Sequence, residues 1–567
     1  MAIRSILQIL PENIIEYIIF HTTGLRPLNG SQLAEYHPEL SRRLVPFLGI
    51  CTHWRAVALP LFYLDMALAT DFDATTIERP STLVHGIDAV LSANVEALPR
   101  CAAIQVPFTG VITGKVSNVL SAAPYAEAVF PSVIHINYNI YGGEYLRRGD
   151  PSVSKENAVR FCGQIRRLFP NAASLRIDTG RIGIISYDEL MGDIVTGISR
   201  ELRAFDYQGP ESYVHVAELS PRMANLTRIS LSANHSDGKT IDIVRHNALS
   251  LERVELREFA VGACLRLVQA PEGRAVTYPR LKSLFIYAMD YSRVGIHELP
   301  EGTPFPALKH LHCAGDYPFA NDVLFRGNSA TLESLDLTIS QSLLWVIQRY
   351  SLFDHNRFPR LNRLALESWE NIPMDDDLAL KLARVPFENR PGVQVAKVCF
   401  RGNKRDNIIL DAIRLSLTGS QIQYLNIQGF KLTADEIVQV IRLLPDLKDL
   451  AFWMVEEEDP ENGYRVCLDT FASSALIPQP ISTRLRSLDF QSRAGGISRM
   501  TVTYIVAIAA MSPSLQYIAM LELIFDRCQQ HFRDAVAEPL FAPYAQHLRS
   551  LKYLSGLYRA VEPIPLF

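Results

Sequence analysis

One spacing recurs along most of this chain: an apolar residue, two of any kind, a second apolar residue, one of any kind, and a third. The clearest copy is Leu226-x-x-Ile229-x-Leu231-x-x-Asn234. Further copies begin at Leu202, Leu251, Leu281, Leu308, Leu332, Leu361, Val395, Ile422, Leu447, Leu485, Leu515 and Leu548. With less regular ones at Cys101, Val133 and Ala172 they number about sixteen. From Leu202 to Leu447 successive copies are 24 to 34 residues apart, and 38 residues separate Leu447 from Leu485. The end of each copy alternates, as a short strand with side chains on opposite faces requires. In Leu332-Glu-Ser-Leu335-Asp-Leu337 the spacing predicts Leu335 and Leu337 facing a core and Ser334, Asp336 and Thr338 facing away. After each strand the chain must return, commonly through a helix. Thr433-Ala-Asp-Glu436 reads as a capping box opening a helix with Ile437, Val440, Ile441 and Leu444 on its apolar side, stopped by Pro445.

The copy at Leu226 matches L-x-x-L-x-L-x-x-N in full, and the pattern as a whole resembles the leucine-rich repeat, whose step is roughly 20 to 29 residues. The resemblance implies an α/β solenoid over residues 101–567, of about 14–16 irregular repeats, with a parallel strand stack on its concave face. Long steps and scarce consensus asparagines make it similar to the divergent repeats attached to F-box domains rather than to extracellular receptor ectodomains. A chain of 567 residues is too long for one compact core, which an extended repeat array accommodates.

Residues 1–64 lack the repeat and read as a separate helical module, with 65–100 as a helical linker or cap. Leu10-Pro11 opens a helix with Ile14, Ile15, Ile18 and Ile19 on one face. A second helix fits Leu40 to Leu48, and a third carries Cys51, Trp54, Arg55 and Ala58 at helical spacing before Pro60. The pattern by itself also fits a cap that shields the first repeat. Leu10-Pro11-x-x-Ile14-x-x-x-Ile18, followed by Leu44-x-x-Phe47-Leu48-x-Ile50-Cys51-x-x-Trp54-Arg55-x-x-Ala58, resembles an F-box. The stretch Thr22 to Pro38 is longer than the usual link and is similar to a fungal variant of the module. This resemblance implies that Leu10, Pro11, Ile14, Ile18, Leu48, Cys51, Trp54 and Arg55 dock a Skp-type adaptor and, through it, a cullin. The chain would then be the substrate receptor of a cullin-RING ubiquitin ligase. The alternative is a non-catalytic scaffold whose N-terminal helices only cap the solenoid.

Charge and cysteine usage narrow the partners. With 56 basic and 60 acidic side chains the net charge is -4, which gives no global reason to expect nucleic acid. The eight cysteines are scattered without a C-x-x-C pair, which argues against a zinc site or a disulfide framework and for a reducing compartment, cytoplasmic or nuclear. Pro11, Glu12 and Glu16 interrupt the apolar N-terminal run, so it is expected to be a folded helix rather than a signal peptide. No apolar run reaches the roughly 18 residues that crossing a bilayer needs, so no membrane partner is expected.

The sequence contains no P-loop, H-E-x-x-H, G-x-S-x-G or G-x-G-x-x-G, and neither enzymatic activity nor a cofactor or metal is expected. The best candidate for recognition is the outward strand face. Alternation places Arg253, Arg257, Phe285, Tyr287, His310, His312, Tyr424 and Trp453 there as target-binding residues, with Glu255 and Gln428 beside them. Folding gives little reason to turn Phe285, Tyr287 and Trp453 outward, whereas aromatic and arginine side chains dominate protein-binding hot spots.

Overall fold

The structure is a computed structural model. It describes residues 65–69, 101–122, 125–141, 151–178, 197–198, 201–208, 223–232, 241–270, 273–289, 302–315, 322–353, 357–368, 376–388, 392–400, 408–416, 421–454, 480–491, 499–520, 522–555 and 564–565, with Ile15 and Trp54 singly. Chain contacts divide it into two units, Met1–Val294 and Gly295–Phe567.

In the first unit, strands β1 (Asp65–Ala69), β2 (Cys101–Pro107), β3 (His135–Tyr141), β4 (Ser174–Asp178), β5 (Ala204–Gln208), β6 (Arg228–Ser232), β7 (Arg253–Ala260) and β8 (Ser283–Met289) pair in chain order. Every pairing is parallel. The second unit repeats the arrangement with β9 (His310–Gly315), β10 (Ser334–Thr338), β11 (Arg363–Ser368), β12 (Val395–Phe400), β13 (Tyr424–Leu432), β14 (Asp449–Met454), β15 (Ser487–Gln491), β16 (Tyr517–Met520) and β17 (Lys552–Ser555). These too are parallel and in order, and β18 (Ile564–Pro565) adds antiparallel to β17.

Parallel neighbours need a crossover, and helices supply many of them. Pro151–Leu168 lies between β3 and β4, Gln341–Arg349 between β10 and β11, and Ala434–Leu443 between β13 and β14. The last of these begins with the expected capping box: Thr433 Oγ1 accepts from Glu436 N–H, and the Glu436 carboxylate from Thr433 N–H at 2.8 Å. Such a cap contributes about 1 kcal/mol.

The alternation holds where the repeat is regular. Leu335 and Leu337 are fully buried while Ser334, Asp336 and Thr338 are half-buried. Register sets Leu335 opposite Leu311 and Leu364, and Leu337 opposite Leu366, so repeat leucines stack in rows through the core. The corner before each strand is hydrogen-bonded to the one before it. Thr227 and Arg228 N–H both donate to Arg203 O, Glu252 and Arg253 N–H to Thr227 O, and Lys448 and Asp449 N–H to Gln423 O. A hydroxyl just ahead of the repeat leucine adds a second tie: Ser250 to Leu226 O at 2.7 Å, Thr331 to Leu308 O at 2.8 Å, Ser514 to Leu485 O at 2.7 Å.

Four sequence expectations need correction. Residues 65–69, expected to belong to a helical linker, form β1 and pair parallel with β2. Three repeats are displaced by two residues. Val393, Ala396 and Val398 are the buried set rather than one starting at Val395; register sets Ala102 and Ile104, both buried, opposite Ile136 and Tyr138, in the places expected of Ile104 and Val106; and Leu548 lies in the helix Ala545–Ser550, not at a strand. A two-residue slip preserves which side chains face inward, which is why the pattern tolerates it. Of the F-box expectation, Leu10, Pro11, Ile14, Ile18, Leu48, Cys51 and Arg55 lie outside the described residues, and Trp54 is buried.

Candidate functional site

The strand face turned away from the core in the first unit carries a basic and aromatic patch. Parallel register assembles it in rows: Arg228, Arg253 and Ser283 on the first rung, then Arg176, Asp206, Ser230, Glu255 and Phe285, then Ser232, Arg257 and Tyr287. Of the expected residues, Arg253 and Arg257 are exposed, and Phe285 and Tyr287 are half-buried.

Two carboxylates lie at the base of this patch. Glu255, only 7 % exposed, accepts from Arg257 Nε at 2.7 Å and lies 3.7 Å from Arg253 Nη2. That bonding holds the Arg257 guanidinium 5.9 Å from the centre of the Phe285 ring, in range for a cation–π contact. Asp206, 6 % exposed, has Arg176 Nε 3.7 Å from its Oδ2, while its Oδ1 has no hydrogen-bond partner among the described residues. Burial pushes the Asp206 carboxyl above the usual aspartate range, against the pull of Arg176 and a hydrogen bond from Ser230. Burial also lowers the Arg228 guanidinium, and the neighbouring charge of Arg253 adds to this. The patch thus sets the guanidinium groups of Arg176, Arg228, Arg253 and Arg257 over the carboxylates of Asp206 and Glu255, leaving positive charge in excess on a face with aromatic surface beside it.

The Asp206 shift has a testable sign. A carboxyl whose folded-state pKa is raised is harder to ionise in the folded protein than in the unfolded chain. Its favourable contribution is complete below the unfolded pKa and is lost as pH rises through the folded one. Asp206→Asn, which keeps the group neutral, is expected to raise the denaturation midpoint relative to wild type at about pH 7 and to leave it unchanged at about pH 3. Paired denaturation curves at the two pH values check this; a midpoint lowered at neutral pH would contradict it.

In the second unit the expected residues also face away from the core, but register does not bring them all together. His310 is exposed and His312 half-buried on β9, with His312 Nδ1 2.9 Å from Asp336 Oδ2 on β10 and Cys313 turned into the core. Tyr424 opens β13, opposite Asp449, and Trp453 stands near the far end of β14 between Lys431 and Gln491; both are half-buried. At about 4.8 Å per strand, β9 and β13 are roughly 19 Å apart, so these are separate patches.

Sequence reasoning missed Arg176, Asp206 and Arg228, of which Asp206 is buried and the two arginines half-buried. Applying the same alternation to the copies at Ala172, Leu202 and Leu226 would have found them. It also expected Glu255 to be exposed, whereas its neighbours' long side chains cover it. Among the described residues no three His, Cys, Asp or Glu side chains gather closely enough to hold a metal ion, and no helix is long and apolar enough to cross a membrane.

No family model and no curated protein matches this chain. Two similar solved structures are TLR13 in complex with ssRNA13, and LegL7, a leucine-rich repeat-containing protein from Legionella pneumophila. The first has 12% identity and a TM-score of 0.34 over 69% of this chain and 56% of that one; the second 12% identity and 0.25 over 68% and 90%. The chain spans just over half the length of the TLR13 chain. This chain's own parallel register and rows of buried leucines show a repeat array of parallel strands in each unit.

Proposed function

We propose that this chain is a non-catalytic receptor that captures a partner protein on its outward strand faces. The observation that carries the reading is the patch in which Arg253, Arg257, Phe285 and Tyr287 stand together on β7 and β8. Arginine and aromatic side chains held in place by buried carboxylates have little rotamer freedom left to lose on binding, which favours affinity. The F-box resemblance at Leu10-Pro11 and Cys51-x-x-Trp54-Arg55 extends the proposal: the N-terminal module holds a Skp-type adaptor, and the solenoid presents its target for ubiquitin transfer by a conjugating enzyme elsewhere in the complex. Such a receptor works by proximity, raising the effective concentration of target near the enzyme to about the millimolar range.

Two results are expected. Leu10→Ala with Pro11→Ala in the full chain should abolish co-purification with the adaptor while the melting temperature stays at the wild-type value. Undiminished co-purification would leave the scaffold reading, with the module only a cap. Once affinity capture and mass spectrometry have identified a target, Tyr287→Ala and Arg257→Ala should each weaken its binding by about 2 kcal/mol, roughly thirtyfold. Equal recovery by these variants and the parent would move recognition off this patch.

A further inference from the structure

The residue just ahead of each strand forms its own row along the leading edge of the sheet. Two of its cations have a carboxylate one strand away: Lys282 Nζ is 2.8 Å from Glu252 Oε2, and Lys309 Nζ is 2.8 Å from Glu333 Oε1. The step from β14 to β15 departs from this. Lys448 and Arg486 are consecutive members of the row, tied by Arg486 N–H to Lys448 O at 2.6 Å, and neither is ion-paired to a carboxylate among the described residues. Lys448 Nζ donates to a neutral acceptor, Gln423 Oε1, at 2.8 Å, and on the far side the row continues with another amide, Gln516. Like charges on adjacent strands repel, so this corner is stabilised by whatever anion lies between them.

The same two cations border a half-open groove of about 610 Å³, which runs past the corners ahead of β14, β15, β16 and β17. Arg484, Ser514 and His547 also line it, and among the described residues no carboxylate does. Arg484 already pairs with Asp446, and His547 Nε2 is 3.2 Å from Ala509 O, which leaves Lys448 and Arg486 as the cations with charge to offer.

We propose that this groove binds an acidic polypeptide segment, whose carboxylate or phosphate oxygens meet Lys448 and Arg486. Its extent suits a chain rather than a lone ion: three strand spacings make a row about 14 Å long, the reach of roughly four extended residues. Among the described residues its wall contains no Phe, Tyr or Trp, the stacking platforms with which proteins hold single-stranded nucleic acid. The groove lies in the second unit at the leading edge of the strands and does not include the Arg257 and Tyr287 patch, so it stands or falls separately from the receptor reading.

The test is fluorescence anisotropy on the full chain. The probes are a labelled peptide alternating Glu with Ala, the same peptide with phosphoserine for Glu, the same with Gln for Glu, and a labelled single-stranded oligonucleotide of matching charge. Both acidic peptides should bind, more weakly as salt rises, while the Gln peptide does not. Whichever acidic peptide binds more tightly identifies the source of the anion. Lys448→Gln with Arg486→Gln should weaken binding by about tenfold, Lys448→Arg with Arg486→Lys should retain it, and Arg257→Gln should leave it unchanged. Because Arg486 is exposed and Lys448 half-buried, the variants should melt with the parent. The proposal is overturned by binding that survives the double Gln variant, by an equal response to the Gln peptide, by tighter binding of the oligonucleotide, or by a loss in Arg257→Gln that matches the double variant.

Discussion

Asn247→Leu is expected to destabilise the first unit by about 2–6 kcal/mol, although the substitution keeps the branched shape and adds apolar surface. Asn247 is 2 % exposed, and its amide is spent entirely on backbone. Nδ2 donates to Met223 O at 2.8 Å and to Ile243 O at 2.9 Å, and Oδ1 accepts from Leu226 N–H at 2.9 Å. Met223 and Leu226 belong to the preceding corner, so this side chain joins one repeat to the next. With leucine in its place, Ile243 O keeps the Asn247 N–H, but Met223 O and Leu226 N–H are left buried with no replacement, at about 1–3 kcal/mol each. Asn247→Asp should be no milder, because a carboxylate can accept from Leu226 but cannot donate to Met223. A repeat array need not unfold in one step, so native-state hydrogen exchange at the amides of β6 and β7 should accompany the denaturation midpoint. Unchanged protection in Asn247→Leu would mean that the corner is held by its neighbours alone.

Leu335→Ala is expected to destabilise the second unit by about 2–5 kcal/mol. Leu335 is fully buried in a row with Leu311 and Leu364 on the flanking strands, themselves fully buried. Truncation opens a cavity bounded by hydrogen-bonded strands on both sides, which limits how far the surroundings can close around it. The matched control is Thr338→Ala on the opposite face of the same strand, which should change stability by no more than about 0.5 kcal/mol. Equal effects from the two would mean that the strand is not sided as its burial pattern indicates.

The parts of the fold that could be read in the sequence are those set by short-range periodicity. A strand alternates regardless of context, so Leu335 and Leu337 were recognisable as core, and Phe285, Tyr287 and Trp453 as facing outward. The capping box at Thr433 was equally plain, because its partners are three residues apart. Where several apolar residues follow one another, as in the segments at 101–106 and 393–400, two registers separated by two residues fit the pattern almost equally. Only pairing with the neighbouring strand chooses between them. Bulges cannot be read in this way either. Glu258 takes a positive φ of 63° and adds a residue to β7, which turns Phe259 into the core although simple alternation would face it out with Arg257. In the β13 bulge, a Cβ on Gly429 would lie 2.6 Å from Phe400 N, so the residue must be glycine for a reason found 29 positions away.

The sequence alone determined that the chain is a repeat array and which side chains of each strand face its core, because both follow from spacings a few residues long that recur many times. Tertiary structure decided which outward residues meet. Asp206 and Glu255 become buried, and Arg253 and Arg257 are held beside Phe285 and Tyr287, because register aligns strands whose connecting segments differ in length. The same alignment puts Lys448 next to Arg486 across a repeat step of 38 residues. Adjacency between repeats depends on where each return segment delivers the next strand, and no local spacing encodes that.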